Sequence, residues 1–342
     1  MMASCIKLDP ARGKDHLDNM TNADTKIAVI GAGIAGLSCA RTLTSAGYDV
    51  HVFDKGRTAG GRISTRRNEQ GLFNHGAQFF TARDPEFAAL VEQWKTRGLI
   101  IEMSEQPAQL GTPDTTPPAT RRYTGAPAIN DLARSMAQDL AVHCGIEITR
   151  AEQIRGKWLL SDRAGQTIGP FDHLAVALPA PQTASLLTEV RPVRTAAEST
   201  AYAPCWAAWF TTKAALTTGW SSAFIADPVL SWAARQQTSN TQTGFVLHAT
   251  AEWSADNLEL ERPDAARRLV EAFQSLIKTR IDTDYLRGHR WRYARVTKAL
   301  GQDCLYLNDR RVGACGDWLR GPRVEEAWLS GRALAIAIIE DG

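Results

Sequence analysis

"TKIAVIGAGIAGLSCARTLTSAGYDVHVFDK", residues 25–55, is the stretch from which the rest of the chain can be read. Its apolar run from Ile27 to Ile30 reads as a strand and passes without a spacer into Gly31-Ala32-Gly33-Ile34-Ala35-Gly36. Apolar residues then recur at Leu37, Ala40, Leu43 and Ala46 with helical period, Gly47 stops the helix, and Val50 to Phe53 reads as a second strand ending at Asp54. Each part has a mechanical reason. Gly31 permits the tight turn, Gly33 lets the backbone approach a pyrophosphate, and Gly36 lets helix and strand touch. The helix start, with Ile34 and Ala35, offers free N–H groups and a partial positive charge. Asp54, followed by Lys55, stands where an acid accepts hydrogen bonds from ribose hydroxyls. Strand, glycine loop, helix, strand and terminal acid together predict a Rossmann-type dinucleotide site.

Composition sets the frame around that unit. A chain of 342 residues, 44% hydrophobic, is large enough for two domains. Lys plus Arg (39) nearly balances Asp plus Glu (37), so bulk charge argues for neither nucleic acid nor a membrane surface as a partner. No apolar run is long enough to span a bilayer. The six cysteines show no metal-type spacing and are expected to be reduced thiols, as in a cytoplasmic protein; no metal site and no protein partner are expected. Residues 1–24 are polar and expected to be a disordered leader, with Met20 the expected natural start.

A second glycine loop, "KGRTAGGRISTRR", follows the first unit, with Gly61 and Arg62 placed to meet a pyrophosphate from the side opposite the helix. "NHGAQFFTARD", residues 74–84, then sets small residues before two phenylalanines and an arginine, which fits close approach of a flat, charged group. These motifs, with "PCWA", "LSWAAR", "VLHATAEWS", "HRWRYAR" and "GACGDWLRGPRVEEAWLSGRALA" in matching order, resemble the FAD-dependent amine-oxidase superfamily and, within it, the bacterial renalases. The resemblance runs over nearly the whole chain from about Lys26.

The fold it implies is α/β: a Rossmann-type FAD-binding domain from residues 25–80, 126–182 and 301–342, and a mixed or antiparallel β-sheet substrate domain from residues 81–125 and 183–300. By the same resemblance, Gly76, Ala77, Gln78 and Phe79 lie along the flavin, Ala151 contacts adenine, Asp317 meets the ribityl or pyrophosphate part, and the helix start near Val324 faces the pyrimidine end. Phe79, Phe80, Thr81, Ala82 and Arg83 line the substrate side, together with Cys205, Trp232, His248 and Arg323. The loop from Pro107 to Thr120 departs from the family pattern and contributes no expected site residue.

The implied activity is oxidation of aberrant dihydro-NAD(P) isomers, the 1,2- or 1,6-dihydro forms, to NAD(P)+, with O2 reoxidising non-covalent FAD to give H2O2. A dihydropyridine becomes an aromatic cation when it loses hydride, so no protein base is required and no catalytic residue is expected. Two alternatives stand beside this reading. Amine oxidation would use the same fold, with a lysine near the flavin as in monoamine oxidases; Lys213, Lys278 and Lys298 are the candidates. The other is a flavin redox sensor without turnover.

Overall fold

The computed structural model describes residues 22–111, 120–238 and 242–341. The expected leader and start site lie outside these residues, except that Asn22–Asp24 forms a short 3-10 turn whose Asn22 side chain donates to the Ala46 carbonyl at 2.8 Å.

Six strands make the first sheet, in spatial order Leu305–Leu307, Val312–Ala314, His173–Val176, Lys26–Ile30, Asp49–Asp54 and Ala141–Cys144. All neighbours are parallel except the first pair, an antiparallel edge. Alternation along Lys26–Ile30 explains its unbroken apolar character, because successive side chains enter opposite cores. Ile27 and Val29 join Leu37, Leu43, Leu334 and Ile338, under the helices Ile34–Ser45 and Val324–Ile339. Ala28 and Ile30 join Trp158, Phe171 and Trp318, beneath a three-stranded antiparallel sheet of Ile148–Ile154, Lys157–Asp162 and Thr167–Phe171.

The second sheet runs Thr283–Lys298, Ala201–Thr212, Gly244–Ala249, Leu230–Thr238, Ser222–Ile225 and Ala108–Leu110; it is antiparallel but for the last pair. One face is covered by the helix Arg262–Ile277, whose Leu269 and Phe273 meet Phe210, Phe245 and Leu247. The other face turns toward residues 73–79, where Phe73 packs with Trp209 and Val246.

Packing departs from the boundaries drawn on the sequence in three places. The hairpin Thr65–Asn68 and Gly71–Asn74 joins the second sheet through Leu72 opposite Gln237. The helix Pro85–Thr96, expected in the substrate domain, buries Phe87, Val91 and Trp94 in the core of the first. The helices Ala180–Leu186 and Arg191–Glu198 likewise close the far side of the parallel sheet. The hairpin crosses by backbone pairing, and the helices cross because their apolar residues are buried in the cores flanking the first sheet.

Candidate active site

The glycine-rich turn is shaped by what each glycine meets. Gly31 holds φ +108°, and a Cβ there would lie 2.7 Å from the Ala177 carbonyl oxygen. At Gly36 a Cβ would sit 1.8 Å from the Gly31 oxygen, so helix and turn touch only because none is present. Gly33 differs: φ is −79° and a Cβ would meet nothing within 4 Å. It therefore borders open space at the start of a 12-residue helix that has no side-chain cap, an arrangement suited to a phosphate group. Asp54 is bound to this turn. Its Oδ2 accepts from the Ala32 N–H at 2.7 Å and its Oδ1 from the Gly56 N–H at 2.6 Å. Lys55 next to it is exposed. The second loop docks on the first, with the Gly60 N–H donating to the Ala32 carbonyl at 2.9 Å and a Gly61 Cβ position 3.5 Å from the Gly33 Cα.

Arg62 is not a free cation beside this cradle. It donates from both terminal nitrogens to Asp317, at 2.7 and 2.6 Å, and lies over the Tyr202 ring at 5.8 Å. The pair links the two residues expected on either side of the pyrophosphate, and it neutralises the charge that Arg62 was expected to offer. Asp317 is the more buried partner, with 8% of its side chain exposed against 31% for Arg62. Removing one member of such a pair strands the other in a low-dielectric setting. Asp317→Ala is expected to destabilise the apo-protein by about 3 kcal/mol, the low end for a buried pair because Arg62 keeps some solvent contact. Urea unfolding checks this, and a loss under about 1 kcal/mol would show a pair screened by water.

Residues 74–80 run between the two sheets. A Cβ on Gly76 would lie 2.0 Å from the Arg62 carbonyl oxygen, to which the Ala77 N–H donates at 2.9 Å. Gly76 is thus required by backbone against backbone, a different reason from the ring approach expected of it. Gln78 turns its side-chain amide onto the Asn74 and Gly76 carbonyls, and its own carbonyl accepts from the Thr124 hydroxyl at 2.9 Å. Phe79 is half-buried against Phe224 and Trp232, with centroids at 6.2 and 5.5 Å. Phe80 points the other way, into the first core among Phe87, Trp94 and Tyr123. Its expected place on the substrate side is corrected: consecutive residues of an extended segment face opposite sides, and only Phe79 faces the second sheet.

Strand register composes the roof above this segment. Ala207 pairs with His248 and His289, Cys205 with Trp291, Trp209 with Val246, and Trp232 with both His248 and Phe224. Paired residues share a face, so Cys205, Trp209, Phe224, Trp232, His248, His289 and Trp291 form one surface. The His75 ring lies against it, 5.0 Å from Trp209, 5.2 Å from His289 and 5.3 Å from Trp291, and its carbonyl accepts from the Trp291 indole at 2.9 Å. Burial and then neighbouring His289 push the His75 pKa down to about 3. Burial pushes His248 down to about 4, and burial followed by Arg66 and Arg262 does the same to His289. Burial pushes the Cys205 thiol up to about 12. Buried polar atoms without a partner gather here: His75 Nδ1, Trp209 Nε1, Trp232 Nε1 and His248 Nε2.

Other expected site residues stand further from this surface or are already engaged. Arg83 is exposed, so water accounts for its charge and no anionic ligand is needed; Thr81 and Ala82 beside it are half-buried. The backbone N–H groups of Arg83 and Asp84 donate to Glu325 Oε1 at 2.5 and 2.7 Å. Val324 opens its helix, but Glu325 and Glu326 in the same turn already meet the positive end of the dipole, which leaves that helix start less positive charge to offer the pyrimidine end expected there. Arg323, expected on the substrate side, is paired with Glu326. Ala151 faces Leu160 in the three-stranded sheet and packs on the second core. Cys39, Cys144, Cys205 and Cys315 are free thiols. Cys304 is disulfide-bonded and departs from the expectation of six reduced cysteines. Trp209 and Phe224, which lie in no quoted motif, and His289, which opens the motif HRWRYAR, were not expected at the site; strand alternation is their local signal.

A Rossmann-type unit joined to a mixed sheet, with a cradle at one end and an aromatic roof at the other, defines a two-domain flavoprotein oxidoreductase. A model of NAD(P)-binding Rossmann-like domains matches residues 29–94, and a model of flavin-containing amine oxidoreductases matches residues 119–339. The chain belongs to the flavin-containing amine oxidoreductase family. Among curated relatives, a 15-cis-phytoene desaturase of Synechococcus elongatus is 31% identical over 96 residues, 25% of this chain and 20% of that protein. An L-amino-acid oxidase of Demansia vestigiata is 44% identical over 50 residues, 15% of this chain and 10% of that protein. Both matches span a small part of those relatives. Two solved structures show the same fold along almost the whole chain. A protein of Exiguobacterium assigned as a protoporphyrinogen oxidase has a TM-score of 0.71 at 10% identity, covering 93% of this chain and 99% of that one. A triple mutant of putrescine oxidase has 0.70 at 11%, with coverage of 93% and 99%.

FAD is the cofactor of this family, and the residues present fit it. Open space at Gly33 before an uncapped helix suits its phosphates, and the unpartnered His75 Nδ1, Trp209 Nε1 and His248 Nε2 suit a ring with polar edges. Among the described residues no helix is long and apolar enough to cross a membrane, and no group of His, Cys, Asp and Glu could hold a metal ion.

Proposed function

We propose that this enzyme oxidises aberrant dihydronicotinamide dinucleotides, the 1,2- or 1,6-dihydro isomers of NAD(P)H, to NAD(P)+. Bound non-covalently, FAD would supply the hydride acceptor, with dioxygen as the final electron acceptor and hydrogen peroxide as the second product. The observation that carries the reading is the charge state of the roof. His75, His248 and His289 are held as neutral, weakly basic imidazoles and Cys205 as a neutral thiol. A dihydropyridine that loses hydride becomes an aromatic cation and releases no proton, so a surface without a competent base is sufficient. The residues then have two tasks: Phe79, Phe224 and Trp232 line the path of the substrate with aromatic surface, and the buried roof keeps water out.

Amine oxidation is the second reading, favoured by the family itself. The lysines considered for it, Lys213, Lys278 and Lys298, are all exposed, so none supplies the group that monoamine oxidases hold near their flavin.

Anaerobic mixing of the FAD-loaded enzyme with 1,2- and 1,6-dihydro-NAD, ordinary NADH and a panel of amines separates the possibilities. Rapid bleaching of the flavin by a dihydro isomer, with NADH and amines slower by a factor of about 100 or more, is the expected outcome. Bleaching by an amine alone overturns it, and the absence of bleaching by any compound points to a redox sensor.

A further inference from the structure

One cation near this site has no counter-charge among the described residues. Arg122 lies beside the strand Tyr123–Gly125, on backbone fixed by the Met103 N–H donating to its carbonyl at 2.8 Å and by the Phe80–Tyr123 bridge. Its neighbour Arg121 pairs with Glu102 at 3.1 Å. Among the described residues Arg122 instead donates to uncharged acceptors, the Gln106 side-chain oxygen and the Thr120 carbonyl. Its guanidinium sits over two rings, 5.4 Å from the centre of Phe79 and 5.7 Å from that of Phe224. Trp232 packs on the same two rings, 5.5 and 4.9 Å away, is 5% exposed, and carries an indole N–H with no acceptor.

A half-buried guanidinium on aromatic faces has shed part of its water, and cation–π attraction returns only a fraction of that cost. A buried indole donor without an acceptor adds its own penalty. Both deficits surround one pair of rings, and an anionic oxygen would answer both.

We propose that Arg122 and the Trp232 indole, bracketing Phe79 and Phe224, form a subsite for the pyrophosphate of the substrate dinucleotide. The assignment rests on the reading of the substrate given above. It makes Arg122 a specificity residue, one that binds the end of the substrate remote from the reacting ring and separates dinucleotides from small dihydropyridines and amines.

Calorimetric titration of FAD-loaded enzyme with NAD+, nicotinamide riboside, inorganic pyrophosphate and glycine tests the subsite. Arg122→Ala is expected to weaken NAD+ and pyrophosphate binding by at least about tenfold, the scale of a lost charge-assisted contact, and riboside binding by less than about twofold. Arg122→Lys, which keeps the charge but not the planar stack, should fall between; it also carries the test if the alanine variant does not fold. Equal weakening for riboside and NAD+ overturns the proposal, as does pyrophosphate binding that ignores Arg122, or dependence on Arg122 for glycine alone. Failure of the substrate reading is separately visible: no dihydro isomer would bleach the flavin, while pyrophosphate affinity would still depend on Arg122.

Discussion

Gly33→Val is expected to yield a folded protein that purifies without flavin. Most substitutions in a glycine loop damage fold and site together, but Gly33 separates them, because its φ of −79° suits any residue and an added Cβ meets no protein atom within 4 Å. The side chain instead projects into the space where the phosphates of FAD approach the start of the Ile34–Ser45 helix. Phosphate binding there depends on contact with backbone N–H groups, so two added methyl groups cost most of the interaction. FAD affinity should fall by at least about 100-fold, equivalent to about 3 kcal/mol, while the apo-protein unfolds within about 0.5 kcal/mol of wild type. Gly36→Val is the contrasting control. There the Cβ would lie 1.8 Å from the Gly31 oxygen, and fold and flavin should be lost together. Visible absorbance and urea titration of the two apo-proteins give the answer; a yellow Gly33→Val enzyme of normal flavin content would place the cofactor elsewhere.

The second large effect is a loss of stability in mild acid. His75, with a pKa of about 3, and His173, His248 and His289, each with about 4, are neutral in the folded protein well below the ordinary value of 6.5. The sign follows from proton counting. Between pH 6.5 and about 4 the unfolded chain binds protons at these rings and the folded chain does not, so falling pH favours unfolding. Stability is therefore full above about pH 7, declines through the window from 6.5 to about 4, and owes to these groups below it only the further loss from His75, which ends near pH 3. Each ring contributes on the order of 2 to 3 kcal/mol at the acid end, which together rivals the net stability of an ordinary domain. Carboxylates begin to contribute near pH 4.5, so the informative range is 6.5 to 4.5. Urea midpoints across that range should fall steadily, and His289→Gln should flatten the slope by about one proton. A flat wild-type profile would mean that these rings meet water in the folded state.

The sequence was most legible where function lies close along the chain. Gly31, Gly33, Gly36 and Asp54 belong to one strand, helix and strand, so their spacing alone reports the cradle, and each glycine occupies the kind of place its position implied. Arg62 and Asp317 were both singled out, but not as partners, because 255 positions separate them and only the assembled sheet brings their charges within 2.7 Å. Phe79 and Phe80 look alike in the sequence, yet one borders the second sheet and the other fills the first core. Arg83, placed on the substrate side by the family resemblance, is exposed.

By itself, then, the sequence determined the Rossmann unit, its dinucleotide cradle and the two-domain α/β plan, because strand and helix periodicity and glycine spacing are local properties that survive without tertiary context. Only the tertiary structure decided the roof. Trp209, Phe224, Trp232, His248, His289 and Trp291 come from five strands, and their common face exists because the inter-strand registers align them. A shift of one residue in any register would turn that strand's side chains to the opposite face, so the chemistry of the surface is a property of pairing between strands and is written in none of them alone.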